Sequence, residues 1–265
     1  MLARRQRSAR NASSSAVTEA TATRAHRCYR ATPVMGLYRL YETRIFPHLL
    51  DVAMRPLERY RAPALAAASG HVLEIGLGTG LNLPHYPDGV ARVTGVDPMV
   101  TVTPGLAKRL AAAPFPVERH ALAADGDLPF GDATFDCIAV TWTLCTIPDA
   151  AAALREMRRV ARRGAKLLFV EHGQSDDPQV ARWQDRLNPI QRFVACGCSL
   201  NRPIDALVHR AGFELAALTR LEAPGLPRTH GHLYLGHAIA GAAETLLAPE
   251  SDADATAPTS SRDGA

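Results

Sequence analysis

A short, mostly apolar run, His71–Ile75, leads directly into three closely spaced glycines, Gly76, Gly78 and Gly80. A run of this length that ends in glycine predicts a buried strand. Glycines at the end of such a strand indicate a sharp turn at which the backbone approaches a ligand closely. In open sheets that alternate strands with helices, ligands bind outside the carboxyl ends of the strands. The motif therefore predicts a ligand-binding loop in an α/β fold.

The spacing of the glycines limits the classes of ligand-binding loop that this segment can form. The pattern is G-x-G-x-G rather than the G-x-G-x-x-G of dinucleotide-binding loops, and Glu74 lies two positions before the first glycine. The chain has no G-x-x-x-x-G-K-[ST] motif, which excludes a P-loop. Asp97 ends the next predicted strand, where a carboxylate can accept hydrogen bonds from both hydroxyls of a ribose. Asp97-Pro98 alone would indicate only a turn with a side-chain cap, but after a glycine loop it favours an adenosine site. The polar loop Ala123–Phe130 offers a small residue and a carboxylate to an adenine ring.

Apolar runs alternate with helical patterns along the rest of the chain. Proline before and glycine after a segment favour a helix between Arg202 and Gly212, and Asp149 is a candidate N-cap. Alternation of this kind predicts a doubly wound α/β sheet. The further strands are predicted at Arg92–Val96, Val117–Leu122, Phe135–Thr141, Lys166–Glu171, Phe213–Leu221 and His232–Ile239, and the other helices at Val100–Ala112 and Asp149–Ala161.

An amphipathic segment, Val34–Arg61, precedes the first strand. Pro47 and Pro56 should divide it into short helices, because proline lacks an N–H donor and clashes with the preceding turn. Two interpretations remain for this helical N-terminal cap of residues 34–66. It either packs as a lid over the ligand cleft or contacts a lipid surface with its basic, amphipathic face.

Charge divides the 265 residues into a near-neutral body with two charged ends. The chain carries a net charge of +4, of which residues 1–33 contribute +6 and residues 248–265 contribute −3. Both ends are poor in bulky apolar residues, so we expect disordered tails around one domain of residues 34–247. The basic tail could instead be a transit peptide or could contact nucleic acid or lipid. The body has no basic stripe, which argues against a nucleic-acid partner.

The five cysteines, an odd number without a secretion signal, favour free thiols in a reducing, cytoplasmic compartment. Cys196 and Cys198 form C-x-C, and no second pair completes a zinc motif. We therefore predict no metal.

Three motifs resemble those of the class I S-adenosylmethionine-dependent methyltransferases. VLEIGLGTG is similar to the first motif of that superfamily, VTGVDPM to its ribose-binding strand end, and DLPFGDATFD to the small-molecule (methyltransferase type 11, ubiquinone-biosynthesis-like) branch. GLGTGLNLPHYP, VTWTLCTIPD, ALREMRRV, FVEHG, WQDRLNP and CGCSLNRPIDAL resemble a bacterial group related to the methyltransferase-like protein 7 thiol methyltransferases. The resemblance implies a Rossmann-like, seven-stranded, mainly parallel sheet with helices on both faces.

The resemblance also implies S-adenosylmethionine as cofactor and a set of contact residues. Trp142 could equally be a core residue. The usual Pro-Gly-Gly before the fifth strand is Arg163-Gly164-Ala165 here, and the apolar membrane anchor of the animal relatives is missing. The implied cofactor contacts are Glu74, Gly76, Gly78, Thr79, Gly80, Asn82, Asp97, Pro98, Met99, Ala124, Asp125, Thr141 and Trp142.

The implied reaction is in-line displacement of a methyl group from a sulfonium by a small-molecule acceptor. His172 is the candidate general base, because it follows the fifth strand, although it could be an ordinary loop histidine. Cys198, Asn201 and His230 are candidates for the acceptor pocket, or are packing and turn residues. A thiol acceptor is the first hypothesis, and a phospholipid amine or a quinone-type ring carbon the second. A nucleotide-binding oxidoreductase and an inactive cofactor-binding regulator are the alternatives of other classes. We expect a monomer.

Overall fold

The computed structural model describes residues 40–41, 45–99, 101–124 and 126–241. Seven strands in this part of the chain form one sheet. They are β1 (Gly70–Ile75), β2 (Val90–Val96), β3 (Val117–His120), β4 (Phe135–Thr141), β5 (Ala161–His172), β6 (Phe213–Glu222) and β7 (His232–Ala240). Their spatial order is β3-β2-β1-β4-β5-β7-β6. The predicted fold class is therefore confirmed.

Parallel pairing joins the first five strands, whereas β7 runs antiparallel between β5 and β6. The central strands β1 and β4 are almost continuously buried, because helices cover both faces of a parallel sheet. The edge strand β6 is mostly exposed beyond its first residue. The strand order reverses at β1, whose neighbours are β2 and β4. The carboxyl ends of β1 and β4 therefore form the switch point where such folds bind ligands.

Seven α-helices and two short 3-10 helices occupy the described residues. They are α1 (Phe46–Ala53), α2 (Arg61–Leu65), α3 (Pro104–Ala112), α4 (Ala150–Val160), α5 (Pro178–Val194), α6 (Ile204–Arg210) and α7 (Arg228–Gly231), with 3-10 helices at Arg55–Tyr60 and Leu83–His85. The side chain of Asp149 caps α4 by accepting the Ala152 N–H at 2.8 Å, as predicted. None of the helices in these residues has the length and apolar character needed to cross a bilayer.

Several element boundaries differ from the sequence expectation. Helix α3 begins at Pro104 rather than near residue 100, because the Thr103 hydroxyl accepts the Leu106 N–H at 3.2 Å and caps the helix there. Strand β5 already begins at Ala161, although its regular pairing with β4 starts only at Lys166. Helix α5 was not predicted at all, because Pro189 lies inside it and the sequence rule ends helices at proline.

Two apolar clusters lie on opposite faces of the sheet. Alternate residues of one strand supply both, as Leu73 and Val72 of β1 illustrate. The larger cluster packs α4 and α6 against the sheet, with Met157 and Val208 fully buried. The smaller one includes Leu65 of α2. This packing fixes the carboxyl ends of the strands between two rigid layers.

The N-terminal cap is helical where it is described. Helix α1, the 3-10 helix and α2 follow one another closely, so Pro47 and Pro56 lie within short helices as predicted. Met54 and Leu57 pack against Ala223 and Leu233, which belong to the β6–β7 region. The cap therefore packs against the start of β7 and the residue that follows β6. The predicted tails, residues 1–33 and 248–265, lie outside the described residues.

Candidate active site

The glycine loop leaves β1 in a conformation that only glycine adopts easily. Gly76 has φ +81°, and a Cβ added there would lie 2.1 Å from Oγ1 of Thr143. Gly80 has φ +77°, and a Cβ there would lie 2.9 Å from Cδ1 of Leu106. By contrast, nothing lies closer than 3.9 Å to a Cβ added at Gly78. The loop is thus tight against the protein at its two ends and has space at its middle, as a ligand cradle requires.

The side chain of Glu74 is buried and anchors the glycine loop through hydrogen bonds. Its carboxylate accepts hydrogen bonds from Nδ2 of Asn82 and from the hydroxyl of Tyr86, both at 2.9 Å. Asn82 also donates to Oγ1 of Thr141 at 3.0 Å, across the switch point to β4. Glu74, Asn82 and Thr141 are all buried. These three predicted contact residues form one internal network that fixes the loop to the two central strands.

Burial raises the pKa of Glu74 to about 7, against the opposing effect of the hydrogen bonds and of Arg61. The folded state therefore holds this proton to a higher pH than the unfolded state. Stability from this group is present below about pH 4.5 and is lost as the pH rises to about 7. Substitution by glutamine removes the titration.

We expect the wild type to lose about 3 kcal/mol relative to Glu74→Gln between pH 4.5 and pH 8, at 1.36 kcal/mol per pKa unit. Urea unfolding of both proteins at several pH values measures this difference. Comparing the two proteins at each pH cancels the titration of all other groups. Parallel stability curves would contradict a raised pKa of Glu74.

Arg61 of α2 reaches into the same network. Its Nη1 donates to Oδ1 of Asn82 at 2.6 Å and to Oγ1 of Thr141 at 3.3 Å. Its side chain is buried, which lowers its pKa to about 10, while Glu74 acts in the opposite direction. Its Nε has no hydrogen-bond partner within the described part of the chain. A buried donor without a partner costs free energy unless a ligand accepts from it.

Trp142 directly follows β4 and stacks on this arginine. The Arg61 guanidinium carbon lies 4.7 Å from the indole centroid, which is a cation–π contact. Trp142 has φ +48°, a strained value for a bulky residue. Its indole N–H is likewise buried without a partner among the described residues. Trp142 therefore stacks on Arg61 and also packs against the apolar cluster of Met54 and Leu57.

Asp97 lies across the loop at the end of β2. Its Oδ2 accepts the Gly78 N–H at 2.9 Å and its Oδ1 accepts the Met99 N–H at 2.8 Å. Burial raises the pKa of Asp97, and these two backbone hydrogen bonds oppose the shift. The turn with a side-chain cap is thus present, and it also ties β2 to the glycine loop. Pro98 is exposed.

The structure describes only some of the other residues predicted to contact the ribose and the adenine. Met99 is half-buried, and its carbonyl accepts a hydrogen bond from Arg119 at 3.1 Å. Ala124 is buried against the larger apolar cluster. Asp125 lies outside the described residues.

Thr79 connects the loop to the cap. Its hydroxyl donates to Oδ1 of Asp51 in α1 at 2.5 Å. Arg109 of α3 donates to the Thr79 carbonyl at 2.9 Å and lies 3.4 Å from Oδ2 of Asp51. The cap is therefore bonded to the loop as well as packed on the sheet.

A cluster of sulfur and imidazole lies at the carboxyl ends of β4 and β5. His172 Nε2 is 3.0 Å from Sγ of Cys198, and that sulfur is 3.7 Å from Sγ of Cys145. The hydrogen bond to Cys145 and burial raise the pKa of Cys198, while His172 acts in the opposite direction. Thr143, which touches Gly76, lies two positions before Cys145. The segment that packs against Gly76 therefore leads directly into the cluster.

The other two candidates for the acceptor pocket differ in their relation to this cluster. His230 Nε2 lies 3.2 Å from Oε1 of Gln191, whose Nε2 donates to Cys198 Sγ at 3.7 Å. Burial lowers the pKa of His230. Asn201 instead donates to Asp185 of α5 at 2.8 Å. The structure therefore brings His230 towards the cluster and gives Asn201 a partner on a helix.

Three residues of the site were missed by the sequence reasoning. Cys145 and Glu171 lie at the carboxyl ends of β4 and β5, so the strand-end rule that selected His172 would have found them. Glu171 accepts the backbone N–H groups of Thr143 and Leu144 at 2.8 and 3.0 Å and so holds this loop. Arg61 gave no signal, because its burial depends on how the cap docks.

Comparison with known proteins agrees with this geometry. A family model described as a methyltransferase domain matches residues 73–169. Human thiol S-methyltransferase TMT1A is 32% identical over 172 residues, which are 63% of this chain and 70% of the relative. The phosphatidylethanolamine N-methyltransferase of Cereibacter sphaeroides is 33% identical over 126 residues, 46% of this chain and 61% of the relative.

Among solved structures, the fold is shared with the 1,6-didemethyltoxoflavin-N1-methyltransferase of Burkholderia thailandensis, solved with bound 1,6-didemethyltoxoflavin and S-adenosylhomocysteine. The TM-score is 0.54 at 18% identity, over 80% of this chain and 91% of that one. Three findings indicate the same family: the extent of the match to TMT1A, the match to the family model, and the glycine loop at the switch point. The chain therefore belongs to the class I S-adenosylmethionine-dependent methyltransferases and is an enzyme that uses S-adenosylmethionine.

Proposed function

We propose that this methyltransferase transfers the methyl group to the sulfur of a small-molecule thiol. The observation that carries the proposal is the contact between His172 and the Cys198 sulfur, in a buried cluster beside the glycine loop. The imidazole of His172 thus already has a sulfur atom as its hydrogen-bond partner. The name of the relative TMT1A agrees with a thiol acceptor.

The residues around the glycine loop fit the cofactor. We assign its ribose to Asp97 and its adenine to the loop that contains Ala124 and Asp125. The buried, unpartnered N–H groups of Arg61 and Trp142 suit an anionic group, and the methionyl carboxylate is the anion that the cofactor offers. When bound, S-adenosylmethionine supplies an electrophilic methyl group on a sulfonium. The chain supplies binding, orientation and exclusion of water.

The electrostatics of the cluster favour a neutral acceptor over a cationic one. Glu171, the carboxylate next to His172 in the chain, is committed to the backbone N–H groups of the loop that follows β4. It is therefore not free to pair with an ammonium group. A thiol needs only a modest reduction of its pKa to react near neutral pH, whereas an amine must lose a proton at greater cost.

We expect His172→Ala to lower turnover about 100-fold or more, because the imidazole contacts the acceptor. Cofactor affinity should stay within about twofold, since no residue of the glycine loop bonds to His172. Steady-state kinetics with a thiol acceptor and calorimetry with S-adenosylmethionine test the two parts. His209→Ala, an exposed histidine on α6, is the matched control. Unchanged turnover at saturating acceptor would remove His172 from the reaction.

The acceptor class itself is tested by a direct competition. Purified enzyme is incubated with labelled S-adenosylmethionine and small thiols, amines, phenols or reduced quinones, each at equal concentration. Methylated thiol as the main product supports the proposal. Preferential methylation of an amine or of a ring carbon would contradict it.

A phospholipid amine is the second candidate acceptor, and an exposed apolar surface favours it. Leu49 and Val52 of α1 and Ile190 and Phe193 of α5 are exposed apolar side chains. Tyr41 donates to the Val194 carbonyl at 2.8 Å and so joins the two regions. Vesicles that contain phosphatidylethanolamine would be methylated if this candidate were correct. We also propose a reducing, cytoplasmic location, because Cys137, Cys145 and Cys198 are free thiols in the fold.

A further inference from the structure

Cys145, His172 and Cys198 come from three distant parts of the chain and present one ligand atom each to a common point. The three atoms all lie within 4.8 Å of one another. Two are thiol sulfurs and the third is an imidazole nitrogen, a donor set typical of zinc proteins. We propose that these three residues bind a Zn²⁺ ion and leave its fourth coordination position open.

Two of the three distances between ligand atoms are close to those around a tetrahedral ion. Two Zn–S bonds of about 2.3 Å at a tetrahedral angle separate their sulfurs by about 3.8 Å, and the sulfurs of Cys145 and Cys198 are 3.7 Å apart. A Zn–S and a Zn–N bond of about 2.0–2.1 Å separate their ligand atoms by about 3.6 Å. His172 Nε2 is 3.0 Å from Cys198 Sγ. The imidazole therefore has to withdraw by only about half an ångström.

The backbone around the cluster is fixed without the ion. Glu171 accepts the N–H of Cys145 at 3.4 Å in addition to its bonds with the two preceding residues. The Ser199 N–H donates to the Cys145 carbonyl at 2.8 Å, which joins the two cysteine loops directly. The Cys198 N–H is itself bonded to the Ala195 carbonyl at 3.0 Å. The ligands are thus held in place by bonds that do not involve their side chains.

The chemistry of the donors selects the ion. Thiolate and imidazole ligands suit Zn²⁺, whereas Mg²⁺ and Ca²⁺ prefer oxygen ligands. Structural zinc sites have four protein ligands, and sites with three keep a position for water or substrate. The two cysteines that are close in the sequence, Cys196 and Cys198, are not the two whose sulfurs the fold brings together. Cys145 takes the place of Cys196, which is why the C-x-C spacing gave no indication of a metal.

The open coordination position would give the ion a role in the reaction. This role rests on the proposed function. A thiol acceptor bound there would give its proton to solvent. Its sulfur would form a bond to the methyl carbon with its own electron pair while the bond between that carbon and the sulfonium breaks, and S-adenosylhomocysteine would leave. His172 would then be a ligand and not a general base, because Nε2 has one lone pair for either task. The ion would replace the base that the sequence analysis expected.

Zinc binding by the full chain tests the proposal. The reduced protein is stripped with a chelator and titrated with Zn²⁺ against a chromogenic competitor, and bound zinc is counted by elemental analysis. We expect one ion per chain, and at least tenfold weaker binding in Cys145→Ser, Cys198→Ser and His172→Ala. Cys196→Ser is the matched control, and its affinity should equal that of the wild type. Equal loss in this control, or no stoichiometric zinc in the wild type, would overturn the proposal.

A second measurement, made on the wild type, tests the zinc site even if the variants fail to fold. Co²⁺ added to the stripped wild type should produce the absorption of a tetrahedral thiolate site, and its absence would count against the proposal. Thiol methylation by protein that binds no zinc would overturn the zinc site and leave the proposed function standing. Stoichiometric zinc in an enzyme that methylates only amines would leave the zinc site standing and overturn the proposed function.

Discussion

Replacing Asp97 with alanine should weaken S-adenosylmethionine binding by roughly 1.5–3 kcal/mol, the loss expected for hydrogen bonds to a charged group. The carboxylate lies at the end of β2 and also holds the glycine loop, through the Gly78 N–H at 2.9 Å. The substitution therefore removes a ligand contact and loosens the cradle together. At 1.36 kcal/mol per factor of ten, the dissociation constant rises by about 10- to 150-fold. Isothermal calorimetry measures this change.

Two further variants separate the contributions of Asp97. Asp97→Asn retains the shape and one acceptor oxygen, so we expect a smaller loss of affinity than with alanine. Asp88→Ala, in an exposed turn of the same domain, should bind the cofactor like the wild type. If Asp97→Ala bound S-adenosylmethionine with unchanged affinity, Asp97 would have no part in the adenosine site.

Gly76→Ala should destabilise the protein by about 2–4 kcal/mol, the range of severe overpacking. Three atoms of the Thr143 side chain lie 2.1, 2.5 and 2.8 Å from the added Cβ. Rotation of that side chain cannot relieve the overlap, because its own Cβ is one of the three atoms. Glu171 holds the Thr143 N–H at 2.8 Å, so the backbone resists movement as well. Urea unfolding without cofactor measures the loss.

The control for this substitution has the same backbone strain without the overlap. Gly164 has φ +77°, and a Cβ added there has nothing within 4 Å. Gly164→Ala should therefore cost only about 1 kcal/mol, from the left-handed conformation alone. Adding Thr143→Gly to Gly76→Ala should recover part of the stability by removing the overlapping side chain. Equal losses in the two single variants would show that strain, and not the contact with Thr143, determines the cost.

The sequence was sufficient for the sheet and for the glycine loop that follows β1, because both depend on local patterns. The run before Gly76 and the carboxylate at Asp97 are readable from strand length and spacing. The same reasoning failed at α5, where Pro189 sits inside a continuous helix. Whether a helix continues through a proline depends on its tertiary packing, which is not visible in a one-dimensional pattern.

Contacts between distant segments explain the rest of what the sequence could not predict. Arg61 enters the site only because α2 docks against the end of β4, 80 residues away along the chain. Cys145 and Cys198 meet across 53 residues. The hydrogen bonds of the Glu74 oxygens with Asn82 and Tyr86 likewise join residues that the sequence pattern does not pair. Each of these outcomes depends on tertiary packing.

Because the cap docks at the glycine loop, the site combines residues of the segment that matches the family model with residues of the segments on either side of it. Residues 73–169, the part that matches the methyltransferase domain family, carry the glycine loop and Asp97. Arg61 precedes that part, and His172 and Cys198 follow it. Changes in the flanking segments can therefore alter the acceptor while the cofactor loop stays the same. A chain shortened to residues 73–169 would keep the residues that we assign to adenosine and lose those that we assign to the chemistry.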